Sequence, residues 1–415
     1  MIMEFKELYA GFAAINIKML IMFVIGFALI YLAVKKDYEP MLLLPIGFGA
    51  ILVNLPQSVV KFASEQVLNP FVTEFVKNNP ASRSLFEDKL NFVFDSAGQA
   101  YTYEPGVLDI LLHSGILTEL FPVLIFVAIG AMIDFTPLFR NPVMIFFGAA
   151  AQFGIFATLL VALALGFDLK VASAIGIIGA ADGPTAIYVA GKFAKEYFGP
   201  ISVAAYSYMS LVPIIQPPVV KLLTSKSERM IRMEYKDVKV SKIVLIMFPI
   251  TVTVIAGLVA PISVPLVGFL MFGNLIRECG VLDRLSNAAQ NELANLVTLL
   301  LGITIGSTMV ADSFLQWQTI LILLMGLVAF VFDTAGGVLF AKLLNLFRKT
   351  KINPMIGAAG ISAFPMSARV IQKMAKDEDP TNFILMQAVS ANVSGQLGSI
   401  IAGGLVLAVV PMLVR

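Results

Sequence analysis

Uncharged apolar runs of spanning length recur along the chain, at 41–60, 143–165, 200–220, 293–310 and 382–414, after a shorter first run at 19–34. A helix needs about 20 such residues to cross the hydrocarbon core, so each long run reads as a transmembrane helix. The short alternating segments of a membrane barrel do not occur. The pattern predicts an all-α polytopic membrane protein.

Two apolar stretches are punctuated rather than continuous. "GAADGPTAIYVAGK", residues 179–192, sets Asp182 before a Gly-Pro pair, and Asp182 is the one charge between Lys170 and Lys192. "INPMIGAAGISAFPMSARV", residues 352–370, carries Pro354, Gly357, Gly360 and Pro365 and ends near Arg369. Proline removes a backbone donor and disfavours helix at the residue before it, so both stretches are expected to enter the membrane as broken or re-entrant segments.

The halves of the chain resemble one another in order. "PIGFGAILVN" (45–54) answers "PLVGFLMFGN" (265–274), and "GILTEL" (115–120) answers "GVLDRL" (280–285). "IGAM" (129–132) answers "IGST" (305–308), "IGAAD" (178–182) answers "IGAAG" (356–360), and "FAKE" (193–196) answers "MAKD" (374–377). Five matches in register indicate an internal duplication. The expected division is a first membrane repeat at 17–222 with an extracytoplasmic insertion at 56–106, a basic linker at 223–242, and a second repeat at 243–415.

Charge then orients the chain. Residues 221–242 hold seven Lys/Arg against three acids, and 342–351 hold four basic residues and no acid, which assigns both to the cytoplasm. Counting crossings outward puts Lys35, Lys36 and Arg140 on that side too. The first broken segment then enters from outside and the second from inside, so the duplication is inverted and the two breaks meet near the midplane.

The 415 residues are 58% hydrophobic and 13% charged, with mean hydropathy +0.88, outside the range of soluble domains. A net charge of +2 offers no footprint for nucleic acid. The single Cys279 and single His113 exclude a disulfide framework and a zinc site. No small-residue cleavage site follows the first apolar run, so no cleavable signal is expected.

An aspartate at mid-membrane depth costs about 2.5–3.5 kcal/mol to insert, so Asp182 is expected to face protein or a cavity. It reads either as a cap for the helix starting near Pro184 or, with the carbonyls freed by the break, as hard oxygen ligands for Na⁺ or a proton. Arg369 reads as a bidentate carboxylate partner or as a snorkelling side chain. In "ANVSGQLGSIIAGG" (391–404), Asn392, Ser394 and Ser399 are ligand candidates or helix-packing residues. Tyr206 and Tyr208 offer phenols for proton relay or for carbonyl satisfaction. Asp333 is a second intramembrane acid for which snorkelling competes with function. His113 is expected to be structural or solvated, and Trp317 an interfacial anchor.

At these residues the sequence resembles the beta subunit of the sodium-translocating, biotin-dependent decarboxylases, which act on oxaloacetate, methylmalonyl-CoA, glutaconyl-CoA or malonate. "GAADGPTAIYVAGK", "NPMIGAAGISAFPMSARV", "FDTAGGVLFAKLLN" and "NVSGQLGSIIAGG" carry the resemblance. It implies a homotrimer with an elevator-like moving domain in the inner membrane of a prokaryote. It also implies a cytoplasmic carboxyltransferase (alpha) subunit, a biotin carrier and a small membrane-anchored subunit as partners. The family's functional residues fall on Asp182, Tyr208, Asn353, Gly357, Ser362, Arg369 and Asn392. With that resemblance, Asp182, Tyr208 and Arg369 are expected to be catalytic. Asn353, Gly357, Ser362 and Arg369 would bind carboxybiotin; Asp182, Asn392 and Ser394 would bind Na⁺, with Asp333 and Ser399 as further candidates. The chain has no AMKM-type biotinylation sequence, so carboxybiotin must arrive on a partner. The competing reading is a secondary Na⁺-coupled organic-anion transporter that performs no chemistry; a purely structural membrane subunit would have to treat Asp182 as packing.

Overall fold

A computed structural model describes residues 11–56, 67–83, 86, 91–94, 97–234 and 239–414. Labelled in chain order, its principal helices begin with α1 (Ile17–Lys36), α2 (Pro40–Val53) and α3 (Pro70–Asn78). Next come α4 (Leu120–Met132), α5 (Ile145–Ala151), α6 (Phe153–Ala164), α7 (Leu169–Ile177) and α8 (Gly183–Phe193). They are followed by α9 (Phe198–Ser210), α10 (Val212–Leu223), α11 (Lys242–Val259), α12 (Val264–Glu278) and α13 (Ala294–Ser307). The last three are α14 (Trp317–Phe347), α15 (Met366–Glu378) and α16 (Leu385–Leu413).

Among the described residues, six helical stretches are long and apolar enough to cross a membrane: Ile17–Lys36, Pro142–Ala164, Lys242–Val259, Asp283–Ser307, Trp317–Phe347 and Leu385–Leu413. Two further apolar pairs are bent, Val107–Leu117 with Leu120–Met132 by 59° and Lys195–Ser210 with Val212–Leu223 by 69°. The chain is therefore a multi-pass membrane protein. The uncharged run at 200–220 is not the straight helix its composition suggests. It breaks at Leu211, where Pro213, Pro217 and Pro218 follow within two turns and withhold three backbone donors. In the run at 41–60, α2 stops at Val53, and 57–60 lie outside the described residues.

The chain divides into two compact units, one containing the described residues up to Phe121 with Thr298–Leu315, the other Pro122–Val297 with Gln316–Arg415. In the first unit, α1 and α2 form an antiparallel hairpin. The Asn16 side chain accepts the Met19 N–H at 2.9 Å to start α1, and Asp37 turns left-handed (φ 56°) to end it. Asn54, just past α2, donates to the carbonyls of Ala50 and Met309, each at 2.7 Å, and accepts the Ala311 N–H at 2.8 Å. The expectation of an all-α chain needs one correction here. The insertion carries a three-stranded antiparallel sheet, β1 (Val67–Leu68), β2 (Phe92–Phe94) and β3 (Ala100–Thr102), in the order β1-β3-β2. Its aromatic and β-branched residues suit a pleated surface, and Val72 and Val76 of α3 are buried with Ala100 of β3.

In the second unit α14 is the central post. Its 31 residues extend about 46 Å, more than the hydrocarbon core requires, and α5, α6, α9 and α10 pack along it. The exposed Trp317 stands at its first position. The long α16 packs against α5 and α15. Asn274, near the end of α12, donates to the Ile133 carbonyl at 2.9 Å and to the Gly130 carbonyl at 3.4 Å.

Candidate functional site

Both punctuated segments fold as interrupted helices, and their interruptions touch. After α7 the chain tightens into a 3-10 turn at Ile178–Ala180, and Ala181 adopts the left-handed conformation (φ 54°) that is costly for a residue with a side chain. Asp182 is then extended, and α8 starts behind it with Pro184 in its first turn, where the missing donor does no harm. In the other segment a single turn at Met355–Ala358 is followed by non-helical residues up to Pro365, where α15 begins. The Ser362 N–H donates to the Ala180 carbonyl at 3.1 Å, bridging the two breaks.

Helix α16 runs past this junction and closes it with polar side chains. Asn392 donates to the Ile361 carbonyl at 2.6 Å, and the Ser362 hydroxyl donates to the Gly395 carbonyl at 2.9 Å. Gly395 is required by the closeness of the approach, since a Cβ there would stand 2.0 Å from the Gly360 carbonyl oxygen. Asp182 is buried, and its Oδ2 accepts from the Thr185 hydroxyl at 2.5 Å, the Ser399 hydroxyl at 3.0 Å and the Gln396 amide at 3.3 Å. Although Asp182 occupies the N-cap position of α8, it makes no side-chain capping hydrogen bond there. The buried Asn392 Oδ1 has no hydrogen-bond partner. The junction thus combines one carboxylate, an unused amide oxygen and the carbonyls of two interrupted helices, a hard-oxygen set suited to a small desolvated cation.

Of the sequence candidates, Asp182, Ser362, Asn392 and Ser399 share this junction. Thr185 and Gln396 join them and were not singled out from sequence. Thr185 stands three residues after Asp182, the spacing of a reciprocal cap, while Asn392, Gln396 and Ser399 fall at i, i+4 and i+7 on α16. That polar stripe inside an apolar helix was the available signal.

The remaining candidates make no hydrogen bond to Asp182, although Tyr208 packs against the apolar cluster that includes Ala181 and Ile361 of the two breaks. Ser394 faces away from Asp182 and donates to the Ile145 carbonyl at 2.9 Å. Tyr208 donates its hydroxyl to the Leu323 carbonyl, whereas the buried Tyr206 lays its ring against Gly183, beside Asp182. Gly357 packs against the backbone of Gly337 on α14. Asp333 does not snorkel: it is fully buried at the midpoint of α14, both carboxylate oxygens lack a hydrogen-bond partner, and the nearest polar groups are the N–H groups of Gly154 and Ile155 in the first turn of α6. His113 is partly buried, with Nδ1 3.0 Å from the Asp109 carbonyl.

Asn353 and Arg369 stand before and after the second break in the sequence. The Asn353 amide donates to the carbonyls of Arg229 and Ile231 at 2.8 and 2.9 Å, and its oxygen accepts the Met355 N–H at 3.1 Å, so its polar atoms hold the linker. The same stretch is tied to the end of α15 by Arg229 to Glu378 at 2.6 Å and Arg232 to Asp379 at 2.7 Å. The Thr381 hydroxyl and N–H, with Arg232, hold the Asp379 carboxyl down at about 2. Arg369, in the first turn of α15, is exposed and is a cation placed directly after the broken stretch.

Comparison with known proteins follows the same features. Residues 18–410 match a family model described as the Na⁺-transporting oxaloacetate decarboxylase beta subunit. The chain is 46% identical over 398 residues to the methylmalonyl-CoA decarboxylase subunit beta of Propionigenium modestum, covering 96% of each. It is 46% identical over 413 residues to the oxaloacetate decarboxylase beta chain 2 of Salmonella typhi (93% of this chain, 94% of that one). It is also 46% identical over 401 residues to the glutaconyl-CoA decarboxylase subunit beta of Acidaminococcus fermentans (97% and 96%).

Proposed function

The chain belongs to the Na⁺-transporting oxaloacetate decarboxylase beta-subunit family, and from that premise we propose that it is the membrane subunit that releases CO₂ from carboxybiotin and couples this step to Na⁺ export. The observation that carries the reading is the buried Asp182 at the meeting point of two interrupted helices. Na⁺ is the cargo, held by Asp182 and Asn392 with backbone carbonyls of the junction. Carboxybiotin arrives from the cytoplasm on a biotin carrier and meets Arg369, which pairs with its carboxylate. Leaving water destabilises that carboxylate. The bond from the ureido nitrogen to the carboxyl carbon breaks, CO₂ leaves, and the electron pair stays on nitrogen. That nitrogen takes up one proton along a path through Asp182 and Tyr208, so each decarboxylation consumes a proton. Na⁺ and H⁺ compete for one carboxylate, and this competition links the two flows.

The duplication is proposed to be an inverted repeat. Its support is a bond made twice. Asn54 donates to the Met309 carbonyl and Asn274 to the Ile133 carbonyl, and both donors and both acceptors are equivalent positions of the two halves. On this reading the junction moves as an elevator-like body in a homotrimer of the inner membrane, served by an alpha subunit and a small membrane-anchored subunit. Equal identity to relatives named for three acyl substrates leaves this chain without a preference among them, as expected if the acyl group is read elsewhere. No observation favours the secondary-transporter reading over this one.

The test is Na⁺-dependent CO₂ release from carboxybiotin by the purified chain with its membrane partner, comparing wild type with Asp182→Asn and Arg369→Ala. Turnover that requires Na⁺ in wild type and is lost in both folded variants is the expected result. Wild type that binds Na⁺ but releases no CO₂ overturns the proposal.

A further inference from the structure

Three loops whose basic excess assigns them to the cytoplasmic side are brought together around a cavity of about 500 Å³. Arg140 and Asn141 come from the turn before α5, Arg232, Met233 and Glu234 from the linker, and Arg348, Thr350, Lys351 and Ile352 from the loop after α14. Four cations and one carboxylate line the cavity, and a second carboxylate, Asp379, pairs with Arg232. The Arg232 guanidinium is oriented by Asp379 and Thr381 through its Nε and Nη2 atoms.

We infer that this cavity binds a phosphate-bearing anion, delivered either as the headgroup of an anionic phospholipid or as a soluble phosphate ester. Three features carry the assignment. The volume fits a small ligand. Three of the four cations are arginines, whose guanidinium groups suit phosphate oxygens, with the Nε and Nη2 edge of Arg232 already given to Asp379. Arg348 is the first residue past the 31-residue helix α14, which puts the cavity where the membrane ends and phosphate headgroups lie. Ile352 and Met233 add apolar lining that a glycerol backbone can cover. None of these residues is among those that meet at the Asp182 junction, although Ile352 adjoins Asn353.

The test is native mass spectrometry of the full-length chain in mild detergent, titrated with phosphatidylglycerol, with phosphatidylcholine as the zwitterionic control and inorganic phosphate as the soluble arm. Wild type is expected to hold one saturable anionic ligand per chain. Arg348→Gln with Lys351→Gln should bind it about 30-fold more weakly, on the order of fivefold for each charge removed. Lys351→Gln alone changes one exposed loop side chain and gives the smaller effect in a variant whose folding is not at risk. Lys170→Gln, an exposed cation at the start of α7, should bind as wild type does. Selective retention of phosphatidylglycerol identifies the lipid source, and binding of inorganic phosphate without lipid retention identifies the soluble one. Equal binding of phosphatidylglycerol and phosphatidylcholine, or anion binding unchanged in the folded double variant, overturns the inference.

Discussion

The Ser362 backbone donates to the Ala180 carbonyl at 3.1 Å, one hydrogen bond between two interrupted helices that lie in opposite halves of the chain. Neither interruption can finish its own backbone pairing, and in a membrane core an unpaired peptide group costs several kcal/mol. Each break therefore supplies what the other lacks, and the carboxylate of Asp182 is fixed beside them. The Ser362 hydroxyl serves a different partner, Gly395. Ser362→Ala is accordingly expected to lose about 1 kcal/mol of stability while keeping the junction, whereas Ser362→Pro removes the bridging N–H and should unfold it. Thermal unfolding in detergent separates the two.

Thr185, Gln396 and Ser399 each donate to the same oxygen of Asp182. They set the direction in which the carboxylate presents its other oxygen, and they stabilise its charge. Gln396→Leu and Thr185→Val should each raise the Na⁺ concentration for half-maximal CO₂ release by about tenfold, the effect of one lost hydrogen bond to a charged group. Turnover at saturating Na⁺ should change less. Unaltered Na⁺ dependence in both variants would remove these residues from the ion site.

Gly395→Ala is predicted to disable the junction outright. The added Cβ would stand 2.0 Å from the Gly360 oxygen and 3.1 Å from the Ile361 carbonyl carbon, and the obstacle is backbone rather than a mobile side chain. Overpacking of this kind costs about 1–3 kcal/mol or more, drawn from the contact that aligns Asn392 with Ile361. Loss of activity with a lowered melting temperature is expected, and wild-type activity would show that α16 can slide.

Much of this was readable in the chain because membranes punish exceptions. Asp182 stood out since nothing else between Lys170 and Lys192 is charged, and the Gly-Pro pair marked the break beside it. The meeting of 178–182 with 356–362 followed from loop charge and duplication. Gln396 escaped notice because an amide among small residues carries no charge signal, and only the helical spacing from Asn392 to Ser399 gives it away. Asn353 was legible as polar but not as a linker clasp, since its partners are backbone carbonyls, which a sequence does not display. The sheet at 67–102 was hidden for a related reason: its strands are two or three residues long, too short for alternation to register.

Asp333 tests whether every buried acid in this chain carries cations. Its carboxylate abuts the first-turn N–H groups of Gly154 and Ile155 in α6, of which the Ile155 N–H also reaches the Gln152 carbonyl at 3.2 Å. An amide oxygen can occupy the same place, so Asp333→Asn is expected to fold and to retain Na⁺-dependent CO₂ release, in contrast with Asp182→Asn. Asp333→Leu leaves the Gly154 N–H facing an apolar side chain and should be destabilised by about 1–3 kcal/mol. Loss of Na⁺ dependence in a folded Asp333→Asn protein would move this residue onto the ion path.

The linker's attachment to α15 carries its own pH signature. Asp379 titrates at about 2, held down first by the Thr381 hydroxyl and N–H and then by Arg232, so its folded value lies below that of the unfolded chain. A depressed carboxylate contributes its tie fully above the unfolded value and loses it as pH falls through the folded one. The contact therefore holds across the neutral range and weakens only below about pH 4. Thr381→Ala should raise the Asp379 value more than Arg232→Gln does, because the exposed ion pair is screened by solvent while the Thr381 donors are local and geometrically fixed. Carboxyl carbon chemical shifts of labelled aspartate, followed from pH 6 down to pH 2 in both variants, measure the ranking directly. A larger shift from Arg232→Gln would make the ion pair, and not the turn at 379–381, the element that fixes the linker.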